Sequence, residues 1–408
     1  MRRTTIGGWL LVAGVSGYLA VEDGPWRAPV PGGAPMVPIL VAVVVLVALA
    51  SVLATGRLEP VTILATLALT ASLLFDATFF EGRALRDLGI YLNAGLHFRL
   101  DQPIYLSGLV TTLPADPTTY PYLYPPPTLP FAAALSILPG PVVAIGWEAV
   151  LLAAALAGLR LVGLGWRWSI VLLAWPPFAQ ALYVGNVALP LFLLFAAGPW
   201  AGGGLLAGAM LKPQGAIAGL WLLRERRWRA VLAGLGILAA LSLLTLPLTG
   251  LDRWSAWLDG LHWFSQSQPL VPRTFYGLAL AEYVPGVVAL AAALLVVGLA
   301  LAGRGRAGLA RIGVATVVAS PSLYAHGYTV ALPALLELRA TVFWTAIALT
   351  SVSGGPTWFA ALGLAVAGWF LPVLRRLDPG SGAAEDRLHP LGAAAEPWPG
   401  APAGPAQG

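Results

Sequence analysis

Asp87 stands where an apolar segment (60–80) gives way to a polar stretch, in the run Arg86-Asp87-Leu88-Gly89-Ile90-Tyr91. A carboxylate so placed can take a proton from an attacking hydroxyl, the work of a general base. Tyr91 follows four positions later, so a helix sets both side chains on one face. Leu88, Leu92 and Leu96 form an apolar face suited to lying on a bilayer surface. Spacing alone equally allows a solvated carboxylate beside Arg83 and Arg86.

Lys212 is the chain's single lysine, in an otherwise charge-free run from 168 to 223. An ammonium there should face a cavity or a partner, because lipid does not solvate it. It could contact a phosphate as a compact charge or snorkel to the interface. His326 follows Ser320-Pro321, a helix break that exposes backbone groups. A lone histidine between apolar segments is commonly structural. Glu148 reads as a structural ion-pair partner of Arg160. The segment His262-Trp263-Phe264-Ser265-Gln266-Ser267-Gln268, with Arg273 beyond, mixes amides, hydroxyls and rings. That mixture suits sugars, although membrane-interface belts use the same rings. No Walker loop, dinucleotide fingerprint or G-x-S-x-G is present. No His or acidic cluster has metal-ligand spacing.

The elements that must position these residues are membrane helices. The 408 residues are 58% hydrophobic and 10% charged, with mean hydropathy +0.80. Soluble domains carry about 25% charged residues. Charge-free runs cover 28–56, 168–211, 230–251, 283–303, 312–336 and 340–374. A spanning helix needs about 20 apolar residues, and these runs lack the alternation of a barrel strand. The fold class is therefore an all-α polytopic membrane protein with roughly 12–14 transmembrane helices, several too short to cross alone. Cysteine is absent, which removes disulfides and thiolate sites. The net charge of +5 is almost all arginine and fits loop anchoring better than a nucleic-acid surface.

The run 6–21, after Arg2 and Arg3, reads as an uncleaved first helix rather than a signal peptide, since no small-x-small site precedes Glu22 and Asp23. Helices are expected at 37–55, 60–80, 128–138, 142–162, 169–184, 187–197, 203–223 and 230–248. Others are expected at 287–301, 312–338 (broken by Ser320-Pro321), 341–353 and 358–374. Arg2, Arg3, Arg57, the 224–229 cluster, Arg304, Arg306, Arg311, Arg339, Arg375 and Arg376 can share one face, which the positive-inside rule makes cytoplasmic. Two long loops, about 81–126 and 249–285, then lie outside and carry short amphipathic helices. Residues 1–377 form the membrane domain. Residues 378–408, rich in Pro, Gly and Ala, read as a disordered cytoplasmic tail.

Several of these motifs, in order, resemble those of the polyprenol-phosphate-mannose-dependent alpha-1,2-mannosyltransferase family of the GT-C superfamily. Its Asp-x-x-x-Tyr is similar to Asp87 through Tyr91, its Pro-x-Tyr to Pro103-Ile104-Tyr105, and its Tyr-Pro-Pro to Tyr124-Pro125-Pro126. Gly185-Asn186 resembles a Gly-Gln or Gly-Asn step, and 202–213 a Gly-rich helix leading to Lys-Pro. Ser265-Gln266-Ser267 resembles an Asn-Gln-Ser motif, and 320–326 a Ser-Pro followed by paired histidines. Two positions depart: Gly327 replaces the second histidine, and Ser265 the asparagine. The helices expected before Asp87 exceed the family's usual start.

The resemblance implies a GT-C-like bundle and an inverting transfer of a hexose, mannose in that family, from a polyprenyl-phosphate donor. The acceptor would be a glycolipid or glycan on the extracytoplasmic side of the cell membrane. It implies Asp87 as base, Lys212, Arg273 and His326 at the donor phosphate, and Tyr91, Tyr105, Tyr124, Asn186 and Gln266 at the substrates. No cofactor, metal or nucleic acid is expected; membrane lipid is. A transporter or flippase of lipid-linked sugars is the alternative, although no repeated helical halves are seen. A structural subunit of an envelope-assembly complex is a third.

Overall fold

The computed structural model describes residues 85–112, 120–267, 278–351 and 355–375. The three helices expected before Asp87, Arg273, Gln268 and the C-terminal tail lie outside the described residues. Among the described residues the structure is helical, with no strand beyond one isolated bridge between Leu338 and Arg375.

Helix α1 (Arg86–Arg99) carries Asp87 in its first turn. It is followed by α2 (Leu129–Leu135), α3 (Gly140–Leu161), α4 (Trp166–Leu173), α5 (Pro176–Val184) and α6 (Ala188–Ala196). Next come α7 (Gly202–Ala207), α8 (Ile217–Arg224), α9 (Trp228–Ser267), α10 (Gly286–Ala302) and α11 (Gly305–Val318). The last three are α12 (Leu332–Leu335), α13 (Ala340–Leu349) and α14 (Gly355–Gly368).

Prolines explain many of the starts. A proline lacks the N–H that the first helical turn leaves unpaired, so it fits there. Prolines occupy the first positions of α2, α3, α5 and α12. Pro176-Pro177 thereby divides the expected 169–184 span into α4 and α5. The expected 203–223 span divides into α7, two 3-10 turns (Gly208–Met210 and Pro213–Ala216) and α8. The expected 312–338 span divides into α11, a 3-10 turn (Ala325–Ala331) and α12. Such breaks persist in a membrane only where they are buried or line a cavity.

Two described helices are long and apolar enough to cross a bilayer: Val142–Leu161 and Trp228–Ser267. The expectation of roughly 12–14 spans, several too short to cross alone, is therefore met only in part. Segments α10, α13 and α14 are apolar but shorter. Helix α9 has 40 residues, or about 60 Å at 1.5 Å per residue, twice a hydrocarbon core of ~30 Å. Gly250, with φ 67 and ψ 164, divides it. The part before Gly250 exposes Leu232, Leu235, Leu243 and Leu244, a surface suited to lipid. The part after it carries Asp252, Arg253, Trp254, Trp257, Asp259 and His262. The second expected loop, 249–285, is thus helical through Ser267.

That second part of α9 docks on the first loop. Trp257 Nε1 donates to Leu123 O at 3.0 Å, Val110 N donates to Ser267 Oγ at 2.8 Å, and Arg253 pairs with Asp101. At the other end, Arg224 Nε donates to Leu301 O at 3.0 Å and Gly305 N to Glu225 Oε1 at 3.0 Å. This gathers the 224–229 arginines and Arg304 at one end of the bundle. Glu148 does not pair with Arg160. Both lie on α3, twelve positions and about 18 Å apart along the axis.

Helix α1 packs on protein rather than on a bilayer surface along most of its apolar face. Leu88 is buried, Leu92 partly so, and Leu96 is exposed. Gly95 lets α1 cross α2 closely: a Cβ there would sit 2.2 Å from Ala132 O. Leu85 N donates to Tyr183 O at 2.7 Å, which ties the start of α1 to α5.

Candidate active site

Asp87 is only 6% exposed, so the solvated-carboxylate alternative does not describe it. One carboxylate oxygen accepts from Arg86 Nε at 2.9 Å, and the other accepts from Asn186 Nδ2. A buried carboxylate requires such partners. Asn186 reaches it because α5 ends at Gly185 in the left-handed region, φ 71, where a side chain is strained. The Trp147 indole N–H holds that corner by donating to Gly185 O at 2.8 Å.

The tyrosines form a wall beside this pair. Tyr91 and Tyr124 share a hydrogen bond between hydroxyls at 3.0 Å and meet edge to face at 5.3 Å. Tyr105 donates its hydroxyl to Tyr124 O at 3.1 Å. The Tyr122 hydroxyl bonds Thr128 Oγ1 at 2.6 Å. Burial pushes the loop phenols Tyr105, Tyr122 and Tyr124 well up from the ordinary range, with the Asp87 charge adding to the effect at Tyr124. They remain protonated donors, and these bonds commit them largely to one another.

Lys212 lies in the break between the two 3-10 turns of 208–216 and is half-buried. Among the described residues its ammonium has no hydrogen-bond or ion-pair partner, while its backbone N donates to Gly208 O at 3.2 Å. Its charge interacts with Asp87, and those of Lys212 and Arg86 act on His326. His326 is 2% exposed. Gln180 Oε1 accepts its backbone N–H at 3.1 Å, and Tyr324 stacks on its ring at 5.7 Å. Its Nδ1 is buried and has no hydrogen-bond partner among the described residues. Lys212 and His326 both line a cavity of about 60 Å³, walled mainly by Leu191, Leu194, Phe195, Leu205, Val317 and Leu323. Ser320 and Thr329 add polar atoms to it.

The structure thus brings Asp87, Tyr91, Tyr124, Asn186, Lys212 and His326 into one neighbourhood, with Tyr105 behind the tyrosine wall. Gln266 is elsewhere in character: it is exposed and bonds His262 Nε2, one turn back on α9, at 2.9 Å. Arg273 lies outside the described residues. Arg86, Trp147, Gln180 and Tyr324 join the neighbourhood without having been singled out by sequence. Only the position of Arg86 beside Asp87 offered a signal.

The fold and the site define a helical membrane protein with a buried carboxylate set near a lone lysine and an apolar cavity. A family model, Glycosyltransferase family 87, matches residues 122–321. The match indicates a glycosyltransferase of a membrane family. It includes Tyr124, Asn186, Lys212 and Gln266, while Asp87 and His326 fall outside it. No curated protein and no solved structure gives a match.

Proposed function

We propose that this chain is a multi-pass membrane hexosyltransferase. It moves a hexose, mannose by resemblance, from a polyprenyl-phosphate donor to a lipid-linked or polysaccharide acceptor on the outer face. The observation that carries the reading is the buried Asp87, held by Arg86 and Asn186, in a protein whose lone lysine, Lys212, lines an apolar cavity with His326.

The reaction is an inverting displacement. The acceptor oxygen bonds the anomeric carbon as the bond from that carbon to the phosphate oxygen breaks. The electron pair leaves with the polyprenyl phosphate. The hydroxyl proton passes to Asp87 and afterwards to water. Lys212, Arg273 and an Nδ1–H of His326 take up the charge that grows on the phosphate, the role of preorganised donors. The apolar cavity receives the start of the isoprenoid chain. This reading asks for no metal or organic cofactor.

The test is reconstitution of the purified chain in proteoliposomes with radiolabelled polyprenyl-phosphate hexoses. Transfer of label to an acceptor, with inverted anomeric configuration, supports the proposal. Label that crosses the bilayer still attached to its polyprenyl phosphate makes the chain a flippase instead.

A further inference from the structure

The resemblance gives Asn186 a substrate-binding role, but its side chain is engaged within the protein. Nδ2 donates to Asp87, and Oδ1 accepts from Ala188 N at 2.9 Å at the start of α6. The residue is 4% exposed. These bonds engage the amide oxygen and one of its two N–H donors, and burial keeps the rest of the side chain away from a sugar in solvent. The backbone is pinned as well: Asn186 N donates to Ala181 O at 2.9 Å, and Trp147 holds the preceding carbonyl.

We propose that Asn186 is a positioning residue for the general base. It fixes one oxygen of Asp87 while Arg86 fixes the other, so that the carboxylate presents one constant edge to the acceptor hydroxyl. A carboxylate has about four lone-pair sites, and its side chain turns freely unless partners hold it. Small misplacements of a reacting group cost up to about 10²-fold in rate. The inference rests on the glycosyltransferase reading and adds the reason why Asn186, from a segment remote in sequence, belongs to the site.

Two variants separate this role from the helix cap that Asn186 also provides. Asn186→Asp keeps an oxygen for the Ala188 N–H and sets a second carboxylate against Asp87, so that the pair shares a proton and the free base is lost. Asn186→Ser keeps a shorter capping oxygen that falls short of Asp87. In proteoliposomes both should lower kcat by about 10–10²-fold, leaving the KM of donor and acceptor unchanged. In the Asp87→Asn background, Asn186→Ser should add no further loss, since residues acting as one unit are non-additive. A raised KM for either substrate, or a full additional loss in that background, makes Asn186 a ligand and overturns the proposal. A second measurement needs no substrate: the infrared carboxylate stretch of Asp87, isolated as the difference between native protein and Asp87→Asn. That band should shift in Asn186→Ser; an unmoved band also overturns the proposal. Native protein that transfers no sugar, with the band shift present, instead overturns the parent reading and the catalytic meaning of the contact with it.

Discussion

Replacing Asp87 by Asn removes the proton acceptor with almost no change of shape. In the native protein both carboxylate oxygens accept hydrogen bonds, from Arg86 and from Asn186. An amide at 87 can accept only one of the two. Its NH₂ would then face a second donor, and Asn186 cannot turn to relieve this without releasing the Ala188 N–H. One unsatisfied buried donor costs about 1–3 kcal/mol of stability. The catalytic loss is larger: a general base contributes about 10²–10⁴-fold, or about 3–5 kcal/mol of barrier at 1.36 kcal/mol per decade. The assay is single-turnover transfer of radiolabelled hexose with saturating acceptor, normalised to folded protein by a thermal melt. A turnover loss of at least ~10²-fold in folded protein is expected, with donor binding retained. A folded variant within a few-fold of native turnover would refute the assignment of Asp87 as base.

Three further outcomes follow from the same geometry. Lys212→Met should slow chemistry by about 10²–10³-fold without weakening acceptor binding, and Lys212→Arg should restore only part of it, because a planar fork replaces a compact ammonium; native rates in both would place the phosphate site elsewhere. Gly185→Ala should lower thermal stability by the equivalent of about 1–2 kcal/mol, since φ is 71 and the new Cβ would lie 3.2 Å from Leu85 Cδ2; an unchanged melt would contradict the described corner. The cysteine-free chain permits labelling of single cysteines at the exposed positions 226 and 262 in intact cells; 262 should react from outside and 226 only after permeabilisation, and the reverse pattern would move the chemistry to the cytoplasm.

Composition and punctuation alone determined the helical membrane class. Long charge-free runs without alternation cross a bilayer as helices. The breaks at Gly185-Asn186 and Ser320-Pro321 were legible for a local reason, since proline removes an N–H and glycine permits positive φ; the division of 169–184 at Pro176-Pro177 was not read. Lys212 was conspicuous because an ammonium in an apolar run demands an explanation. The tertiary structure decided what these residues meet. Asp87 and Asn186 are 99 positions apart, and Gln180 and His326 are 146 apart. No local pattern encodes such contacts, because they arise where helix breaks from α5, 208–216 and 320–331 converge. The structure also separated side chains that looked alike on paper. The Tyr91 and Tyr124 hydroxyls turn toward one another, Gln266 toward His262, and Asn186 toward Asp87. Residue type fixes how many hydrogen bonds a group can make; only packing chooses the partner.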